Sequence, residues 1–236
     1  MQLSIAEISP QFPEARIAAI VIAGLQIQGA RPPSLDALIA EREAACRKQW
    51  GGRELADIPG IAAWRSAYKG FGIKRTSYRS SVERLVKRVL AGERLPVVNS
   101  FVDLYNAISL THVMCCGADD LDKIEPPLAF RFARDGDSFI DMGAAEPGED
   151  DDPPKAGEVV YADARHVLCR RWNWRQDART CISPRSTRVI ATIQANGHGD
   201  LNQAIADFTT LVAIHCGGHT TVKIADAATP VVTIGA

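Results

Sequence analysis

A chain of 236 residues with 46% hydrophobic and 23% charged residues has the composition of a globular protein that buries a core. It holds no run of about 18 apolar residues, which excludes a membrane-spanning helix; the best run, residues 17–25, is too short and lies between Arg16 and Gln26. With 27 basic and 28 acidic residues the net charge is −1, which argues against a protein that follows long nucleic acid through phosphate contacts.

The start of the chain lacks the basic opening and small-residue cleavage site of a secretory signal, so a cytoplasmic location is expected. The Ile-, Val- and Ala-rich segment 16–25 reads as a buried strand. Ser34 is placed to cap a helix carrying Leu35, Leu38, Ile39 and Arg42 at helical spacing, closed by Gly51-Gly52. A shorter helix follows over 61–68 and stops at Gly70 and Gly72. Ser80 or Ser81 caps the next, with Val82, Leu85, Val86, Val89 and Leu90 on one face and Gly92 past its end. A fourth helix is expected over 99–113. Segments 128–133 and 138–142 read as two strands joined by the hairpin signal Asp135-Gly136. The acidic, Pro-rich stretch 144–155 is loop by composition. Further strands are expected at 158–162, 166–170 and 187–195, then a helix over 200–215 capped by Asp200, then strands at 220–225 and 231–234. Helices first, strands later and one closing helix give an α+β fold.

Generic catalytic motifs are absent: there is no nucleophile elbow, Walker A loop or HExxH zinc helix. The six cysteines form no CxxC pair, fit no zinc spacing and read as buried reduced thiols. No metal and no cofactor is called for; Asp119, Asp120 and Asp122 cluster as helix-start or loop residues that cap rather than coordinate. Two polar constellations remain. Asn99, Asp103 and Asn106 fall at spacings of four and three, on one side of a helix, as residues lining a pocket or holding a loop do. Arg170-Arg171-Trp172-Asn173-Trp174-Arg175 alternates tryptophan with polar residues. It suits stacking of a base and contact with phosphate, or equally a half-buried strand with tryptophan inward and arginine outward. A second basic stretch runs through Lys69, Lys74, Arg75 and Arg79.

These residues carry a resemblance. The run Asn99-Ser100-Phe101-Val102-Asp103-Leu104-Tyr105-Asn106, followed by Gly117-Ala118-Asp119-Asp120-Leu121-Asp122, resembles the core of the B3/B4 editing module of the phenylalanyl-tRNA synthetase beta chain. Residues 128–133 with 136–139 resemble its next hairpin, and 159–163 the strand after that. The resemblance covers about residues 80–195, leaving 1–75 as a family-specific N-terminal part of one domain spanning 1–236. It implies a mixed sheet packed with helices. It also implies a pocket for the 3′ end of a mischarged tRNA, where a positioned water hydrolyses the aminoacyl ester.

Carried over residue by residue, Asn106 matches a pocket-lining asparagine, and Asp103 and Asp122 match structural aspartates. The departures are Gly117, where the family has a histidine before an Ala-Phe-Asp element, Tyr105, where it has threonine, and 171–175, where it has a glycine-rich turn. The resulting expectation is a trans-acting aminoacyl-tRNA deacylase, with no DNA partner and no membrane. Asn106, Asp103 and Glu158 are its catalytic candidates. Asn99, Ser100, Tyr105, Gly117, Trp172, Trp174, Arg175, Arg171 and Lys69 are its substrate contacts. Two alternatives stand beside it: a module that binds tRNA or an amino acid without chemistry, and an unrelated small-molecule enzyme on the same scaffold. The chain is too short for a tRNA-charging domain.

Overall fold

A computed structural model describes residues 1–73, 78–143 and 153–235 of the chain. The fold is α+β, built on two sheets. Its longest strands follow from apolar runs. β2 (Ala15–Ala23) is buried at every residue from Ile17 to Ile22, which is why it reads as a continuous run rather than an alternation. It lies between β8 (Arg188–Asn196) and β9 (His219–Ala225) in a four-stranded antiparallel sheet, with β3 (Cys115–Asp120) on the far edge beside β8.

The second sheet is six-stranded and mixed. Its order is β10 (Val231–Thr233), β1 (Gln2–Ser4), β4 (Leu128–Phe132), β5 (Val159–Ala162), β6 (Val167–Arg170) and β7 (Arg175–Gln176). The β1–β4 pair alone is parallel. Both chain ends are thereby tied into one sheet.

Among the described residues five α-helices cover these layers: α1 (Pro33–Trp50), α2 (Pro59–Gly70), α3 (Ser81–Leu90), α4 (Ser100–His112) and α5 (Leu201–His215). α4 packs against α1, α3 and α5, while α2 lies on β8. The caps explain where several of them start. Ser80 accepts from the Glu83 amide, Asn99 from the Phe101 and Val102 amides, and Asp200 from the Asn202 and Gln203 amides. Ser34 does not cap α1. That helix begins one residue earlier at Pro33, whose missing amide donor costs nothing in the first turn.

Three other expectations are corrected. Residues 138–142 make no strand, and Asp135-Gly136 closes no hairpin. The Asp137 carboxylate instead accepts from the Arg131 guanidinium at 2.7 and 2.8 Å and from the Arg134 amide, so β4 pairs with β5. Asp119 and Asp120, expected at a helix start or in a loop, end the strand Cys115–Asp120 held at the sheet edge by β8, although Asp120 does cap the short turn Leu121–Lys123 by accepting from the Asp122 amide. Residues 171–174 are a turn between β6, which ends at Arg170, and β7, which starts at Arg175, with Arg171 at φ 45° and Trp172 at φ 66°. The acidic loop expectation falls mostly on residues outside those described, as do Lys74 and Arg75. Among the described residues no helix is long and apolar enough to cross a membrane.

Candidate functional site

β3 and β8 present one face to the second sheet. Antiparallel register places Gly117 opposite Thr192, Cys115 opposite Gln194 and Asp119 opposite Ile190, and opposed residues share a face. A polar chain crosses this face. Tyr68 Oη donates to Asn173 Oδ1 at 2.9 Å, Asn173 Nδ2 to Gln194 Oε1 at 3.1 Å, and Gln194 Nε2 to Thr192 Oγ1 at 3.1 Å. On the other side of Gly117, Asp119 Oδ1 accepts from Thr180 Oγ1 at 2.6 Å and from Gln176 Nε2 at 3.0 Å. Gln176 also donates to the Ala118 carbonyl at 2.7 Å, so β7 is fastened across the gap between the sheets. Between the two systems lies open space: a Cβ built on Gly117 would meet no heavy atom within 4 Å.

Asp119 dominates the electrostatics of this cleft. It is 4% exposed and forms no ion pair among the described residues; its Oδ2 has no hydrogen-bond partner among them. Burial pushes its carboxyl up to about 7, opposed by the hydrogen bonds from Thr180 and Gln176 and helped by repulsion from Asp177 and Asp163. Its charge is felt by Tyr105, Tyr161, Cys169 and Cys181, whose pKa values burial raises first and Asp119 raises further. Tyr161 stacks on Phe130 at 4.5 Å and brings a buried hydroxyl with no hydrogen-bond partner among the described residues into this neighbourhood. Burial also lifts the Cys115 and Cys181 thiols to about 11, so both are neutral thiols at pH 7 and not nucleophiles. Exposed Arg84 of α3 donates to the Trp174 carbonyl at 2.8 Å, and its charge reaches Tyr68 and Cys169.

The B3/4 domain family model matches residues 63–202, more than half of the chain. The chain belongs to the B3/4 domain family. Among solved structures this B3/4 domain is similar to an N-terminal fragment of the phenylalanyl-tRNA synthetase beta-subunit from Pyrococcus horikoshii. The identity is 14% and the TM-score 0.44, over 92% of this chain and 50% of the fragment. The chain thus spans about half the length of that fragment. No curated protein matches. The matched region runs from within α2 to the first turn of α5, so β2 and β9 complete the four-stranded sheet from outside it.

The residues anticipated from sequence fall into separate places in this B3/4 domain. Gly117 floors the cleft, and Tyr105 reaches the field of Asp119 from α4. Asn106 is half-buried and makes no side-chain hydrogen bond among the described residues. Asp103 lies elsewhere: fully buried, it pairs with Arg31 at 2.9 Å and accepts from the Val98 amide at 2.9 Å. Asn99 caps α4, and Ser100 accepts from the Gln28 amide beside Cys216. Glu158 is bound at 2.9 and 3.1 Å by Arg170, with Arg171 at 3.7 Å.

The arginine–tryptophan run does not offer a stacking platform. Trp172 is fully buried, 5.0 Å from Phe12 and 5.2 Å from Trp64. Arg171 is 2% exposed, its guanidinium 3.7 Å from the Tyr78 ring and 4.4 Å from that of Trp174. Arg175 pairs with Asp141 at 2.9 Å, and Lys69 is exposed on α2. The four groups expected around one ester, Asn106, Asp103, Glu158 and Arg175, therefore do not form one cluster.

Asp119 and the Tyr68–Asn173–Gln194–Thr192 chain escaped the sequence reading. One signal was available: set against the family's Ala-Phe-Asp element, Ala118-Asp119-Asp120 puts a carboxylate where phenylalanine is expected.

Proposed function

We propose that this B3/4 domain acts in trans as an aminoacyl-tRNA deacylase, with Asp119 as the general base. The observation carrying this reading is a buried carboxyl with a pKa of about 7 and a free oxygen beside the open floor at Gly117. A general base works best when its pKa lies near the working pH. In the proposed reaction a water over Gly117 gives a proton to Asp119 Oδ2 as its oxygen attacks the ester carbonyl. The tetrahedral intermediate then collapses, the C–O bond to the ribose breaks, and Asp119 returns the proton to the departing ribose hydroxyl. An ester is activated enough that no protein nucleophile is needed, in keeping with the neutral cysteines around the cleft. Arg84, exposed on α3 with its charge reaching Tyr68, would meet the terminal phosphate.

The test is a panel of mischarged tRNAs incubated with the wild-type chain and with Asp119→Asn. The wild type should accelerate deacylation of at least one over spontaneous loss, and the variant should fall about 100-fold. No acceleration of any member, or an unchanged variant, overturns the reading. A second reading, binding of an amino acid without chemistry, is favoured by the same carboxylate having no cation among the described residues, as a site for an α-ammonium would. It requires Asp119→Asn to weaken binding of an aminoacylated tRNA while neither protein hydrolyses it.

A further inference from the structure

The polar chain across the cleft has a direction. Tyr68 donates to Asn173, Asn173 to Gln194 and Gln194 to Thr192, so Thr192 Oγ1 is already an acceptor. In this arrangement each amide oxygen accepts and each NH2 donates, and turning either amide alone would break a link of the chain. The Thr192 hydroxyl proton is thus left for a further acceptor, and no described residue provides one. Thr192 is 3% exposed and sits opposite Gly117 on β3, with Ala19 of β2 opposite it on the other side. Two minimal side chains flank it, and the space above Gly117 is open. A buried donor beside an open space, two strand positions from an acceptor carboxylate, makes a complementary pair.

We propose that Thr192 is the oxyanion donor of this site, its hydroxyl held in one orientation by the chain that starts at Tyr68. This rests on the deacylase reading. As the water attacks, charge builds on the ester carbonyl oxygen, and the Thr192 hydroxyl donates to it while Asp119 holds the water proton. A donor fixed before the reaction needs no reorganisation when that charge appears. The structure thereby gives Gln194 a positioning role, acting through Thr192.

Steady-state deacylation of the best tRNA substrate from the panel tests this with Thr192→Val, Thr192→Ser and Gln194→Glu. Thr192→Val keeps the shape and removes the donor. It should lower kcat about 100-fold with KM changed less than about 3-fold, and Thr192→Ser should recover most of the rate. Gln194→Glu replaces the donating amide with a carboxylate, which draws the Thr192 proton away from the cleft. It should lower kcat like the valine variant although the hydroxyl remains. Thr192→Ala carries the same test if the valine variant does not fold. A valine variant as fast as wild type, or a serine variant as slow as valine, overturns the role of Thr192 and leaves the deacylase reading standing. A wild-type chain that hydrolyses no member of the panel overturns both.

Discussion

Asp119 sits where its charge is unfavourable, and the sign of that effect is measurable. Its folded pKa of about 7 exceeds the ordinary aspartate value of 3.8, so the folded chain binds the proton more tightly than the unfolded one. Stability from this group is complete below the unfolded value and is lost as pH rises through about 7. Asp119→Asn keeps an oxygen for Thr180 and Gln176 and removes the charge. The variant should be more stable than wild type at pH 8, by on the order of 1 kcal/mol or more, and the difference should vanish near pH 4, read from urea midpoints. Deacylation should follow the opposite course, rising with pH through about 7 and then levelling as the base loses its proton. Gly117 gives a companion prediction. Nothing crowds its missing side chain, and a β-branched residue suits a strand. Gly117→Val should therefore unfold within about 1 kcal/mol of wild type and yet lose at least about 10-fold in deacylation, because the valine fills the floor of the cleft.

At the scale of elements, the polar residues most visible in the sequence serve the fold. Asp103 locks α4 to Arg31, which also donates to the Pro96 carbonyl at 2.6 Å and so fixes the segment leading into the helix. Asp103→Ala leaves that guanidinium, with 5% of its side chain exposed, short of its partner, and should cost about 3–5 kcal/mol in urea unfolding. Trp172→Ala should cost a similar 3–5 kcal/mol, because Trp172 fills the space between Phe12, Trp64 and Phe71.

What could be read from sequence follows from how local its cause is. The starts of α3 and α5 were legible because Ser80 and Asp200 cap them within three residues, whereas Asn99, read as part of the polar face of α4, is that helix's cap. The strand at 15–23 was legible because both its faces are buried. β3 was not, since Cys-Cys-Gly-Ala-Asp-Asp has little intrinsic strand preference and is held by pairing with β8 some 70 residues on. The turn at 171–174 was hidden for a related reason. Bulky residues rarely take positive φ, and Arg171 and Trp172 do so under contacts from Glu158, Tyr78 and the aromatic cluster. The cleft itself depends on which strands meet across two sheets, and no spacing along the chain encodes that.

Across the whole molecule, the N-terminal part is interior to the fold. β2 has a partner on each side, and β1 sits between β10 and β4. A chain beginning at residue 76 should therefore fail to fold, giving a far-ultraviolet spectrum without native structure and no cooperative urea transition. The pairing distances have a further consequence for synthesis. The nearest bonded pair of β2 and β8 is Ala23 with Arg188, so the strand leaves the ribosome 165 residues ahead of its first neighbour (188 − 23). At about 5–20 residues per second that delay is roughly 8–33 s. For that time a nascent segment of isoleucine, valine and alanine has no sheet to join, and a chaperone that shields hydrophobic peptide should raise the yield of newly made protein more than it speeds refolding of the finished chain.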